Sequence, residues 1–156
     1  MVFVKKSICE MFEEIKNPKL VKDEMLVPSK QPGEILYREN RESRLVTVFL
    51  DYIVQLLSPL DKPNLIGRDI SQCVGFALEN SFTRGHNRDL DLPAYFQIYS
   101  GREGHVIRIR DSGKGFDYKQ KISLMREFGS FYYQFRGVGL KRLDQSPHKI
   151  SYEGLG

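Results

Sequence analysis

Asp111, Gly113 and Gly115 stand together in the stretch DSGKG, directly after the alternating run HVIRIR. A carboxylate held at a strand end can accept a hydrogen bond from an exocyclic amine such as that of adenine. Glycines just beyond it let a flat ring come close to the backbone. Asn80 lies in ALENSFTRGHN, on the inner part of an apolar-periodic stretch. Its amide oxygen is a hard ligand of the kind Mg2+ takes beside waters and phosphate oxygens. Gly137 and Gly139 stand in RGVGL. A glycine turn opening a helix presents free N–H groups and the positive end of a dipole to phosphates. Singly, each motif has an ordinary reading. DxGxG is as often a hairpin turn, a helical asparagine is usually solvated or capping, and GxG is often only a tight turn. Their order along one chain is what joins them.

These residues need elements to hold them. Residues 5–17 read as an amphipathic helix, because Ile8, Met11, Phe12 and Ile15 fall at i, i+3, i+4 and i+7 and Pro18 comes soon after. Residues 23–28 read as a short strand, and PSKQPG as a loop. A first long helix is expected over 38–57, with Leu45, Val48, Phe49, Tyr52, Ile53 and Leu56 as its apolar stripe. A second is expected over 67–84, with Gly85 as its C-terminal glycine. Residues 93–100 and 105–110 alternate as strands, and GREG between them signals a hairpin. Residues 117–136 read as a loop with a helical piece, RGVGLKRL as a turn opening a short helix, and HKISYE as a last strand. This order of elements suits an α+β two-layer sandwich: a mixed, mostly antiparallel sheet with helices on one face.

Composition narrows the partners. The chain has 156 residues, enough for one core. Its net charge of +4 is spread without a basic run or an aromatic-studded stripe, so no nucleic acid is expected. MVFVKKSICEMF lacks an apolar run of signal-peptide length, and no segment approaches a membrane span. Cys9 and Cys73 lie far apart without metal-ligand spacing, which suits two reduced thiols in a cytoplasmic protein. His86 and His105, near turns, and His148, near a strand start, read as surface residues.

The three motif segments together resemble the asparagine box and the two glycine boxes of the GHKL superfamily, whose ATP-binding domain is the Bergerat fold. The nearest branch is that of the anti-sigma-factor serine kinases and histidine-kinase-like ATPases. ALENSFTRGHN resembles their EA-xx-NA-xx-HGN helix end, VIRIRDSGKGFD their V-x-V-x-D-x-G-x-GFD, and DEMLVPSKQPGEI their first strand and loop. The resemblance spans about 23–156 and makes 1–22 an N-terminal helical extension. It implies that Asp111 bonds the adenine amine, Gly113 and Gly115 shape the adenine pocket, Asn80 holds Mg2+, and Gly137 and Gly139 cradle phosphate. It also implies that 118–136 is a lid over ATP and that a protein partner, sigma-factor-like or regulatory, is bound; a homodimer is compatible with it. Arg84 and Arg136 stand near phosphate-binding positions, though the motif requires neither.

The resemblance breaks at one position that bears on chemistry. Active relatives carry a carboxylate or amide four residues before the metal asparagine, on the same helix face. Here that position is Phe76, which can act neither as a general base nor as a water-orienting group. Glu79 is adjacent to Asn80 and points about 100° away round the helix, so it reads as a surface charge. A serine/threonine-kinase-like or ATPase activity is therefore expected to be slow, or replaced by a degenerate protein-interaction module on the same fold. Relatives also continue past a G-x-G like that of Gly154 and Gly156, which implies a domain without its last strand. No helical hairpin with a phospho-accepting histidine precedes the motifs, so a complete sensor kinase is not expected.

Overall fold

The computed structural model describes residues 2–3, 6–30, 35–40, 43–48, 50–60, 68–86, 89–113, 120, 123 and 149–150. The elements run in the order β1 (Val2–Phe3), α1 (Ile8–Ile15), β2 (Lys19–Leu26), β3 (Ile35–Asn40), β4 (Ser43–Val48), α2 (Leu50–Leu56), α3 (Arg68–Asn80), β5 (Ala94–Gly101), β6 (Gly104–Arg110) and β7 (Lys149–Ile150). The chain is α+β, built on a three-stranded antiparallel sheet in the order β2-β5-β6. β3 pairs with β4 antiparallel and β1 with β7 parallel, as two further small sheets. Among the described residues no helix is long and apolar enough to cross a membrane.

The β5–β6 hairpin forms where the alternation and the GREG signal put it. Gly101 pairs with Gly104, leaving Arg102 and Glu103 as the turn, and Gly104 has φ +149°. Alternation along β5 sends Ala94, Phe96 and Ile98 inward, each fully buried. They meet Leu26 of β2, Tyr52, Ile53 and Leu56 of α2, Val74 and Leu78 of α3, and Phe82 just beyond it. This is the core. Gly75 lets α2 and α3 approach, because a β-carbon there would lie 2.9 Å from Ile53 Cδ1.

α1 covers the other face of the sheet. Tyr99 alternates with Ile98, and its ring lies 4.5 Å from that of Phe12. Its cross-strand partner Val106 is also buried. A patch of this kind on the second face of an antiparallel sheet needs a cover, so the helices do not all lie on one face. α1 opens with a capping box: Glu10 N–H donates to Ser7 Oγ at 3.2 Å, and Ser7 N–H donates to Glu10 Oε2 at 2.6 Å. Its other end is closed by the hairpin turn. Arg102 N–H donates to Lys16 O and Glu103 N–H to Ile15 O, both at 2.8 Å, which satisfies carbonyls that a helix end leaves unpaired.

Three expectations change. Only the last part of the helix expected over 38–57 is helical; its first part is the end of β3 and all of β4, paired from Ile35↔Val48 to Asn40↔Ser43. The run Val46-Thr47-Val48 is β-branched and loses rotamer freedom in a helix, which outweighs the helical spacing of Leu45 and Val48. The strand expected over 23–28 begins earlier and ends sooner, at Lys19–Leu26. The helix expected over 67–84 leaves α-helical geometry after Asn80 and ends in a π-helical turn, Ser81–Gly85.

Candidate functional site

The end of α3 and the end of β6 meet. The π-helical turn after Asn80 is closed by the His86 N–H donating to Ser81 O at 2.8 Å. Single π turns of this kind recur where a helix must re-aim the residues beyond it. Here the turn carries Gly85 and His86 against the residues just past β6. A β-carbon on Gly85 would lie 2.6 Å from Asp111 Oδ2, inside the 3.0 Å that real β-carbons respect. A β-carbon on Gly113 would overlap the Gly85 carbonyl oxygen. Gly113 therefore requires glycine because backbone meets it, and a β-carbon at Gly85 would push the Asp111 carboxylate aside, in both cases through closeness of approach rather than an unusual dihedral angle.

Four polar contacts fix the turn. Gly113 N–H donates to Asp111 Oδ1 at 2.9 Å, an Asx turn. Ser112 Oγ donates to Pro93 O at 2.8 Å. Ser112 N–H donates to His86 Nε2 at 2.8 Å. Asp89 N–H donates to His86 O at 3.0 Å. His86 is only 3% exposed, which corrects its reading as a surface residue. His105, by contrast, is exposed. The backbone accounts for the difference: His105 stands at the start of an edge strand, whereas the π turn rolls His86 inward beside Phe82, with ring centroids 6.1 Å apart. Its Nδ1 is buried and finds no partner among the described residues. A buried unpaired donor costs about 1–3 kcal/mol. Burial holds the imidazole below its ordinary value of 6.5, while the carboxylates of Asp111 and Asp89 pull the other way.

Of the residues expected to form the site, Asp111 and Gly113 are brought to the turn beyond Asn80. Asp111 is exposed and Gly113 half-buried. Asn80 is the last residue of α3, half-buried, and its side chain does not cap the turn beyond it. An amide oxygen in that setting fits a cation that keeps most of its ligands as water and phosphate. Among the described residues no cluster of three or more His, Cys, Asp or Glu could hold a metal by itself. Phe76 and Glu79 are both half-buried on α3. Gly115, Gly137 and Gly139, the side chain of Arg84, Arg136, and the expected lid over 118–136 lie outside the described residues, apart from Gln120 and Ser123, which are helical.

Sequence reasoning passed over His86 and Ser112. The signal available was the Gly-His pair at a helix end, since a glycine that admits close approach brings its neighbour with it. A separate surface hollow, about 520 Å3, lies between Phe12, Lys16, Asn17 and Arg102 at the Gly101–Gly104 end of the hairpin, the far end of β6 from Asp111. It is shallow and open, and none of the expected site residues lines it. No protein-family model, no curated protein and no solved structure matches this chain.

Proposed function

We propose that this chain is a Mg2+- and ATP-binding regulatory domain of the anti-sigma-factor and histidine-kinase-like type, which acts on a protein partner. The observation that supports this reading is the contact of Gly85 with Asp111 and Gly113. It puts an exposed carboxylate at a strand end beside the turn that leaves the asparagine-bearing helix. Asp111 would take the exocyclic amine of adenine, Gly113 would let the ring approach, and Asn80 would hold Mg2+. Bound Mg2+ would supply charge neutralisation at the phosphates. Phe76, four residues before Asn80, supplies no base, so binding without fast turnover is the expected behaviour. The same residue favours a second reading, a protein-interaction module that keeps the fold and has lost the nucleotide.

Calorimetric titration with ATP, with and without Mg2+, separates the two. On the first reading ATP binds and Mg2+ strengthens it; Asn80→Ala removes the Mg2+ increment and leaves metal-free ATP binding nearly intact. An absence of ATP heat in both conditions would leave the interaction module.

A further inference from the structure

We propose that His86 is the positioning residue of this site and that its protonation is a switch: neutral, it latches the Asp111–Gly113 turn to the end of α3, and protonated, it releases the turn. The latch rests on geometry alone, and its effect on nucleotide rests on the ATP-binding proposal.

Ser112 N–H donates to His86 Nε2 at 2.8 Å. An acceptor nitrogen carries no proton, so the neutral ring must hold its proton on Nδ1. Ser112 sits between the two residues that shape the turn: Asp111, whose carboxylate lies against Gly85, and Gly113, whose backbone lies against the Gly85 carbonyl. The latch therefore acts on Asp111 through the backbone of its neighbour. Ser112 Oγ is anchored separately to Pro93 O, just before β5, and among the described residues His86 is the hydrogen-bonded tie of the turn to the end of α3.

Protonation has one outcome at Nε2. It places a ring N–H against the Ser112 N–H, and two donors do not bond. The ring is 3% exposed, so water does not take over the lost contact in place. The groups that face it among the described residues are the aromatic ring of Phe82 from the π turn, the carboxylate of Asp89 from the turn after it, and the carboxylate of Asp111 from the end of β6. Both charges favour an imidazolium, and Asp111 is the stronger of the two. A protonated His86 thus loses its bond to Ser112 and gains attraction to the carboxylate that the turn presents. The two effects act on different groups: the loss of the bond frees the Ser112 amide, while the attraction re-aims the Asp111 carboxylate toward the ring and cannot restore the Ser112 bond. Burial opposes the charge more strongly than the two carboxylates favour it, so the ring titrates below 6.5 and the device answers to acidification.

The test uses the full chain with 15N-labelled histidine. Long-range 15N–1H spectra report the tautomer and titration of His86. Hydrogen exchange, corrected for its intrinsic rate, reports the protection of the Ser112 amide from about pH 8 to about pH 5. The Nδ1–H tautomer is expected at the upper end, and Ser112 protection should fall by about tenfold as the ring titrates. His86→Gln keeps an acceptor that does not titrate. It should preserve Ser112 protection and abolish its pH dependence, a rescue that a merely space-filling role would not produce. A proton on Nε2 in the neutral ring, a ring that stays neutral to the end of the range, or Ser112 protection that tracks the same pH curve in His86→Gln overturns the proposal. ATP titrations over the same range add the second arm. If ATP binds, its affinity should weaken with the ring's titration in the wild type and not in His86→Gln. If ATP does not bind at any pH, the nucleotide reading fails while the Ser112 data still decide the latch.

Discussion

Asp111 carries two tasks with one carboxylate. One oxygen accepts from Gly113 N–H and shapes the turn, and the group as a whole remains exposed at the end of β6. Asp111→Asn separates the tasks, because an amide oxygen can still take the Gly113 N–H while its NH2 meets an incoming amine donor-to-donor. The fold should survive and ATP affinity should drop by about tenfold or more, since a hydrogen bond to a charged acceptor is worth about 1.5–3 kcal/mol; calorimetry measures it. Gly85→Ala attacks the same carboxylate from the other side. Its methyl group would sit 2.6 Å from Asp111 Oδ2, so the carboxylate must leave its place and give up the Gly113 N–H it accepts from. We expect a loss of about 1–3 kcal/mol in urea denaturation, typical of a small group forced into a packed site, together with lost ATP binding. A variant that keeps wild-type stability and ATP affinity would mean that the Asp111 carboxylate does not rest against Gly85.

At the scale of elements, α1 and the β5–β6 turn depend on each other. The turn's N–H groups close the carbonyl end of the helix, and Lys16 pairs with Glu103 at 2.9 Å. With the Asn17 amide oxygen turned to the guanidinium, Arg102 donates to it through Nε at 3.0 Å and Nη2 at 2.6 Å. The surface ion pair adds little by itself; the backbone contacts and the Phe12–Tyr99 packing hold the helix. Gly101→Ala would drive a methyl group into the Ile15 carbonyl oxygen. The expected result is a detached α1: loss of helical circular dichroism on the order of one short helix, a stability loss of about 1–3 kcal/mol, and little change at the distant Asp111 turn. α1 was legible because its signals are local: the 3.6-residue stripe marks it, and the Ser7–Glu10 box reinforces it within a single turn. The β3–β4 hairpin was not. Residues 38–44, RENRESR, carry no apolar period of either kind, and over 45–48 Leu45 and Val48 alone fit the helical stripe, so pairing with a second strand decides the outcome.

For the molecule as a whole, two groups make acid destabilising. His86 is held below its ordinary value of 6.5 by burial. Above 6.5 the ring is neutral folded and unfolded and has no effect; as pH falls from 6.5 to the folded value, the unfolded chain takes up a proton that the native one refuses, and stability is lost. Glu10 is held below its ordinary 4.5, first by the Ser7 backbone N–H and then by the Ser7 hydroxyl. Its contribution is intact above 4.5 and lost as pH falls from there to the folded value. The urea midpoint should therefore decline in a first step that starts near pH 6.5, with a weaker one below pH 4.5. His86→Gln should remove the first step alone. A midpoint that stays level through the first window in the wild type would show that His86 is not buried neutral.

The amino-acid sequence by itself determined α1, the β5–β6 hairpin and the body of α3. Each is specified by residues within a few positions of one another, through periodicity, a turn signal or a cap. It also set Asp111 and Gly113 just past a strand and Asn80 within a helix, though not that the α-helix ends there. Only the tertiary structure decided that these ends meet. The contact of Gly85 with Asp111 and Gly113 joins positions 26 to 28 residues apart across the whole β5–β6 hairpin, and no local pattern encodes it. The burial of His86 was decided in the same way. A histidine after a helical glycine is a surface residue unless the helix end is rolled inward, and here the π turn, seated on the core through Phe82, rolls it.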